Sequence, residues 1–322
     1  MHNRLLNTGV FLDVETVDGG DLDRSRLQSS LTHWCWHDFS EPEVIPQRIA
    51  SADVVVSNKC VIDRAAMAQA KQLKLIALAA TGSNNVDLDA AAERGITVCN
   101  IRDYATEAVA QHTITLMLNL LTGQPWYWQR VRRGEWSDAR QFCLNDRPIR
   151  QTRGLAFGVI GHGVLGRAAG ALAEAMGMDV LVAERKGRRS RSGRLPFEEV
   201  IARADVISLH CPLSDATRGL VDRRVLRAMK PDAMLINTAR GGIVVEQDLA
   251  DALRAGEIAG AAVDTLTQEP PSPDHVLLAA DIPNLIVTPH NAWSSRTARQ
   301  AALDQLADVI SGFASGSVIH QI

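Results

Sequence analysis

Leu155–Gly166 reads LAFGVIGHGVLG: an apolar run passes directly into Gly161-x-Gly163-x-x-Gly166, and an alanine-rich stretch, Arg167 to Met176, follows. A buried strand, a tight glycine turn and a helix are the parts that bring backbone N–H groups up to a pyrophosphate at a positive helix end. Alone, a G-x-G-x-x-G is a weak signal, since glycine turns also serve structure. Here a second apolar run, Val180 to Ala183, ends in Glu184, eighteen residues after Gly166, where an acidic side chain can bind both ribose hydroxyls. This context predicts a dinucleotide site, with Gly161, His162, Gly163, Val164, Leu165 and Gly166 as its cradle. His162 should contribute backbone more than ring.

A basic run, Arg185, Lys186, Arg188, Arg189, Arg191 and Arg194, follows at once. It reads as an exposed, solvated loop, Gly187 to Arg194 (GRRSRSGR). Its functional alternative is a grip on a 2′-phosphate that would admit NADP beside NAD. Glu184 opposes that alternative by like-charge repulsion, so NAD(H) is the expected cofactor.

Outward from the turn, short apolar runs alternate with amphipathic segments of helical length, the pattern of an α/β protein with parallel sheets. The expected strands are Val10 to Val14, Asp53 to Val56, Leu75 to Ala79, Leu155 to Ile160, Val180 to Ala183, Val206 to Leu209, Met234 to Asn237, Gly260 to Val263 and Leu285 to Val287. Several are continuous Val, Ile, Leu and Ala, as strands covered on both faces should be. The glycine turn lies near the middle of the chain, so a separate unit must precede it. Thr106 to Leu121 reads as a long apolar helix. Gln124 to Trp136, rich in tryptophan and edged by Gly123 and Gly134, reads as a linker or packing arm.

Three further segments end predicted strands: LHCPL (209–213), NTARGG (237–242) and TPHNAW (288–293). In a doubly wound sheet the carboxyl ends of strands line the ligand crevice. Arg240 stands between the small residues Ala239 and Gly241, as a guanidinium facing a ligand requires. Cys211, Pro212, Thr217, Thr238, Ala239 and Asp264, with Arg185 and with Thr106 at the start of the long helix, join the candidate cofactor contacts.

Composition bounds the remaining possibilities. The chain has 322 residues, 46% hydrophobic and 22% charged, which excludes a disordered, collagenous or coiled-coil protein and suits about two domains. A net charge of -3 provides no positive field for a phosphate backbone, so nucleic acid is not an expected partner. No apolar run approaches the roughly eighteen residues of a membrane span, and the N-terminal MHNRLLNTGVFLD breaks its apolar pair, Leu5 and Leu6, at Asn7 before a signal segment forms. Cys35, Cys60, Cys99, Cys143 and Cys211 are scattered and lack C-x-x-C spacing, so they read as reduced thiols of a cytoplasmic protein.

NTARGG, VDTLTQEP (263–270) and TPHNAW, in that order after the glycine turn, resemble the D-isomer-specific 2-hydroxyacid dehydrogenases. The resemblance runs from about Leu75 to Arg299. ERKG after the second strand, and HNAW in place of the commoner H-x-G-G form, are most similar to the glycerate dehydrogenases, also called hydroxypyruvate reductases. The resemblance implies two doubly wound parallel-sheet α/β domains: a Rossmann nucleotide domain (101–290) inserted in a flavodoxin-like substrate domain (1–100 plus 291–322). It implies that Arg240 binds the substrate carboxylate and keto oxygen, that His290 is the acid/base and that Glu269 orients it. Gly82 and Ser83, in AATGSNNVD, would present amides to the carboxylate, with Asn58 and Lys59 nearby. It further implies a homodimer and no metal. Hydroxypyruvate and D-glycerate are the expected pair, with glyoxylate or D-lactate chemistry as the alternative. The long phosphoglycerate dehydrogenases and the NAD-sensing corepressors fit less well, since the former carry a regulatory domain and the latter a disordered tail, and this sequence has about thirty residues after His290.

The chemistry makes the same cast plausible. Hydride addition to a 2-keto acid leaves negative charge on the carbonyl oxygen, which a guanidinium and a proton donor both stabilise. Histidine takes both protonation states near neutral pH. Other histidines read as structural: His33 and His37, with Cys35 in THWCWHD, could share a strand face and mimic a metal site, yet Trp34 and Trp36 would occupy the other face. His112, within QHTITLML, reads as a hydrogen-bonded helix-interface residue. Trp136, Trp293 and Lys59 are candidate pocket walls.

Overall fold

The computed structural model describes residues 6–322; Leu5 of the N-terminal apolar pair lies outside the described residues. In chain order the elements are β1 (Thr8–Phe11), α1 (Ser25–Gln28), β2 (His33–Trp36), α2 (Ile45–Ile49), β3 (Val54–Ser57), α3 (Arg64–Gln69), β4 (Leu75–Leu78), α4 (Leu88–Glu93) and β5 (Thr97–Cys99). There follow α5 (Thr106–Thr122), α6 (Gln124–Arg132), β6 (Ala156–Ile160), α7 (Val164–Ala175), β7 (Asp179–Val182), α8 (Phe197–Arg203) and β8 (Val206–Leu209). The last are α9 (Arg223–Ala228), β9 (Met234–Asn237), α10 (Glu246–Arg254), β10 (Gly260–Val263), β11 (Leu285–Val287) and α11 (Arg296–Ser315).

The chain divides into two compact units, one ending at Ala105 and resuming as Ser294–Ile322, the other Thr106–Trp293. These limits differ from the expected 101 and 290 for identifiable reasons. Ile101 packs in the first unit's core and the Asn100 side chain donates to the Thr81 carbonyl at 2.8 Å. At the other limit, Asp264 holds the amides of Asn291 and Ala292 in the second unit.

In the first unit the sheet order is β2-β1-β3-β4-β5, with every pair parallel. Alternation sends Val54, Val56, Leu75 and Ala77 to the face covered by α11, and Val55, Ile76 and Leu78 to the face covered by α2, α3 and α4. Both faces are buried, which is why these strands read as unbroken apolar runs. The order reverses at β1, and the chain ends of β1 and β3 meet there. Asp13, 1% exposed, follows β1 and accepts the amides of Asn58, Lys59 and Cys60 after β3.

The second unit's sheet, β11-β10-β9-β8-β6-β7, is likewise parallel. α5 and α7 cover Phe157, Val159, Val206 and Ile236, while α8, α9 and α10 cover Ile207, Leu209, Leu235 and Val263. Each such side chain contributes about 1.5–3 kcal/mol relative to exposure. This order reverses at β6, so the carboxyl ends of β6 and β8 border the ligand crevice expected of such a sheet.

Several expectations need correction. β1 ends at Phe11 rather than Val14, because Val14 already opens a short 3-10 turn. α7 starts at Val164, not Arg167. Gln124–Arg132 is helix α6, not a linker: Gly123 is left-handed (φ 63°) and Pro125 follows within the first turn, where its missing N–H costs nothing. β2 and β5 are additional strands. On β2, His33 and Cys35 are exposed while Trp34 and Trp36 stack at 4.9 Å. Among the described residues no cluster of three His, Cys, Asp or Glu could hold a metal, and no helix is long and apolar enough to cross a membrane. All five cysteines are free; burial pushes the Cys60 thiol up to about 12 and those of Cys99 and Cys211 up to about 11.

Candidate active site

The glycine turn follows β6 at the reversal. Gly161 sits at φ 97°, and a side chain there would overlap the backbone of His210 and Cys211 in the loop after β8. One at Gly166 would overlap the Gly161 carbonyl. Gly163 caps the N-terminus of α7 without a side-chain hydrogen bond, and a Cβ there would meet open space. A positive helix end with open room above it fits a phosphate group. His162 is half-buried, and burial, then the charges of Arg194 and Arg167, keep its ring below the ordinary histidine range.

Glu184 follows β7, but its carboxylate is not open to a ribose. Arg191 donates to it in a fork, Nε to Oε2 at 2.7 Å and Nη2 to Oε1 at 2.8 Å. The Arg185 amide donates to Oε1 at 2.9 Å. Arg191 above all, then the Arg185 amide, brings the Glu184 carboxyl down to about 2. Arg188 and Arg189 remain exposed, as read from the sequence, yet Arg191 is an ion-pair partner.

The remaining cofactor candidates are held in the second unit's own network. Thr238 is buried, its hydroxyl 3.0 Å from that of Thr113 on α5, and Ala239 is buried beside it. The Thr217 hydroxyl donates to the Pro212 carbonyl at 2.6 Å, stiffening the loop that begins at half-buried Cys211. Thr106 opens α5. Asp264, 1% exposed, accepts from the Thr288 hydroxyl at 2.6 Å and from the Asn291 and Ala292 amides at 3.0 Å. His112 reaches the same network, with Nε2 3.2 Å from Thr288 Oγ1.

Arg240, Glu269 and His290 stand beyond the carboxyl ends of the adjacent strands β9, β10 and β11. Asn237 braces the Arg240 backbone, donating to its carbonyl at 2.8 Å and accepting the Ala239 amide at 3.1 Å. The Arg240 side chain is exposed, with Nη1 donating to the Ala239 carbonyl at 2.7 Å. Glu269 Oε2 lies 2.6 Å from His290 Nδ1, and Oε1 accepts the Leu266 amide at 2.8 Å. His290 has φ 51°, a left-handed conformation that costs a residue with a side chain on the order of 1 kcal/mol. The Asp264 bonds to the next two amides hold it there. With a carboxylate on Nδ1, proton exchange falls to Nε2.

Two supports were not legible as such. Gly241 packs so closely on the Leu266–Thr267 backbone that any Cβ would overlap it, which ties the Arg240 turn to the loop bearing Glu269. Glu246 accepts the Thr267 amide at 2.7 Å and pairs with His275 at 3.1 Å. Only the small residue in NTARGG could have signalled this contact.

In the first unit, Asn58 is buried and its side chain donates to Thr16 at 3.0 Å, while Lys59 is exposed. Gly82 and Ser83 lie in the loop after β4, half-buried. Trp136 is 51% exposed, its indole donating to the Phe142 carbonyl, and Trp293 is half-buried.

Residues 114–292 match the family described as D-isomer specific 2-hydroxyacid dehydrogenase, NAD binding domain. The chain is 41% identical to a glycerate dehydrogenase of Methylorubrum extorquens, over 92% of this chain and 95% of that one. It is 33% identical to a hydroxypyruvate reductase of Blautia hydrogenotrophica, over 97% and 98% of the two chains. Its fold matches the NADPH-dependent glyoxylate/hydroxypyruvate reductase of Sinorhizobium meliloti solved with NADP and malonate, with a TM-score of 0.81, 26% identity and coverage of 99% and 97%. With a glycine turn at the sheet reversal and a carboxylate-histidine pair beyond the ends of β10 and β11, the chain belongs to the D-isomer specific 2-hydroxyacid dehydrogenases, oxidoreductases acting on 2-hydroxy acids through an NAD-binding domain.

Proposed function

We propose that the chain interconverts hydroxypyruvate and D-glycerate, with NADH as the preferred cofactor and NADPH as a weaker one. The observation that carries the reading is the 2.6 Å pair between Glu269 and His290 Nδ1 in the same strand-end region as Arg240. Bound NADH supplies the hydride that reaches the keto carbon. Arg240 holds the carboxylate and keto oxygen, and so stabilises the charge that develops on that oxygen. His290 delivers the proton from Nε2 while Glu269 stabilises the imidazolium and fixes its orientation. The Gly161–Gly166 turn is the proposed pyrophosphate cradle, with Thr106, Arg185, Cys211, Pro212, Thr217, Thr238, Ala239 and Asp264 around the cofactor. Asn58, Lys59 and the amides of Gly82 and Ser83 are proposed to contact the substrate.

NADH oxidation with hydroxypyruvate, glyoxylate and pyruvate tests the substrate. Hydroxypyruvate should give the highest kcat/KM, and a preference for pyruvate would overturn this choice. For the cofactor, Glu184 stands at the end of β7, where its carboxylate would accept the ribose hydroxyls once Arg191 releases it, and the neighbouring arginines support 2′-phosphate. We expect kcat/KM to favour NADH, by less than about 100-fold because the arginines soften the carboxylate's repulsion. A clear preference for NADPH would mean that Glu184 does not face the ribose.

A homodimer is the proposed assembly. Trp128, Val131, Trp136 and Phe142 are 59%, 46%, 51% and 91% exposed on α6 and the segment after it, a concentration of large apolar side chains that a second copy would cover. Light scattering on eluted protein should give twice the chain mass, and a monomer at micromolar concentration would refute this. The five free cysteines support a reducing, cytoplasmic setting.

A further inference from the structure

The fork between Arg191 and Glu184 contains an asymmetry. Glu184 is anchored: its side chain is 2% exposed, Oε1 accepts the Arg185 amide, and Arg194 Nη1 stands 3.8 Å away. Arg191 is 62% exposed, and the loop that carries it has positive-φ glycines at Gly187 and Gly193. If the pair separates, Arg191 is the partner that moves. Its fork takes one acceptor position on each carboxylate oxygen, as a vicinal diol does when it donates to both. Arg191 and a ribose diol therefore compete for the same acceptors. A released Arg191 remains beside Arg185, Arg188 and Arg189, which line an open groove together with Glu184.

We propose that Arg191 selects the cofactor: it yields Glu184 to the ribose hydroxyls of NADH, and turns from Glu184 to the 2′-phosphate of NADPH. This rests on reading the end of β7 as the adenosine-ribose site. With NADPH, Glu184 keeps the Arg185 amide and the nearby Arg194, so the carboxylate is not left without counter-charge beside the phosphate. With NADH, the diol takes over the two positions that Arg191 leaves. Removing Arg191 should then act on the two cofactors in opposite directions. NADH no longer displaces a competitor, whereas NADPH loses its fork and meets an ionised carboxylate.

The test is equilibrium binding without keto acid, for wild type, Arg191→Ala and Arg191→Lys. NADH and NADPH are titrated by nicotinamide fluorescence, and adenosine 5′-diphosphate and adenosine 2′,5′-bisphosphate by calorimetry to isolate the adenosine end. Arg191→Ala should bind NADPH and the bisphosphate about tenfold or more weakly and NADH about threefold more tightly. Arg191→Lys, retaining charge without the fork, should fall between. An exposed side chain can be replaced without loss of fold, and a thermal melt checks this. Unchanged NADPH affinity in Arg191→Ala, or weaker NADH binding, overturns the proposal, the latter by making Arg191 a clamp that holds Glu184 for the ribose. If wild type binds none of the four ligands, the cofactor-site reading fails and the proposal with it. If wild type binds them and the variants keep its NADH-to-NADPH ratio, the proposal alone fails.

Discussion

Arg240→Lys is expected to lower kcat/KM for the keto acid by about 30- to 700-fold, on the order of 2–4 kcal/mol of transition-state binding, without loss of fold or NADH affinity. Asn237 fixes the backbone around residue 240 from both sides, and the close approach of Gly241 to Leu266 and Thr267 does not involve the Arg240 side chain. The scaffold therefore survives a change of head group. Lysine retains the charge but has no planar fork, so it cannot hold a carboxylate oxygen and a keto oxygen in one geometry. The loss should appear mainly in kcat if the keto-oxygen contact strengthens as negative charge develops, and mainly in KM if Arg240 only binds the carboxylate. Steady-state kinetics with hydroxypyruvate, beside a fluorescence titration of NADH, separates these outcomes. Near-normal kcat/KM would remove Arg240 from the proposed reaction.

What could be read from the chain depended on how local each signal was. β8, β9, β10 and β11 have the expected limits, because each is a short, mainly apolar run followed by polar residues, buried throughout in β8, β9 and β10 and half-buried in the edge strand β11. β2 was harder to see as a strand. It is an edge strand with exposed His33 and Cys35, so its pattern resembles a ligand cluster as much as a strand. β5, with three residues, is too short for periodicity to register. In the Gln124–Trp136 stretch the tryptophans and flanking glycines suggested an arm, although a proline within the first turn favours the helix that forms.

The site was legible in residue types and not in their partners. Glu184 could be placed at a strand end by counting from the glycine turn. Nothing in GRRSRSGR distinguishes Arg191, which takes the carboxylate, from Arg188 and Arg189, which stay exposed. Irregular loops carry no periodicity that fixes side-chain direction. Asp264 likewise reads as a polar strand-end residue, yet its bonds to Thr288, Asn291 and Ala292 make it the brace of the turn that presents His290. Its position in the sequence was visible, but its role depends on β10 and β11 lying side by side.

That division of labour between Asp264 and Glu269 sharpens the second large effect. Glu269→Gln should lower kcat/KM for hydroxypyruvate reduction by about tenfold, equivalent to about 1.4 kcal/mol of lost imidazolium stabilisation in the transition state. Glutamine can still accept the Leu266 amide through Oε1, the bond Glu269 makes at 2.8 Å, so the loop should hold. Its other terminal atom then becomes an NH2 facing His290 Nδ1, where the carboxylate oxygen stood at 2.6 Å. An amide donor opposite a ring N–H is unfavourable, so the variant favours a neutral ring with bare Nδ1 over the doubly protonated ring that reduction consumes. Glycerate oxidation requires a neutral ring with bare Nε2, the Nδ1–H tautomer that the amide also disfavours, so it should fall as well. NADH affinity should be nearly unchanged, because the proposed pyrophosphate cradle lies at the ends of β6 and β8. The measurement is kcat/KM for reduction and for oxidation in wild type and Glu269→Gln, beside a fluorescence titration of NADH. If reduction keeps its wild-type kcat/KM, Glu269 does not stabilise the donor. Asp264 would then be the next residue to test, although the two amides and the hydroxyl it already accepts commit it to the backbone of the His290 turn rather than to the ring.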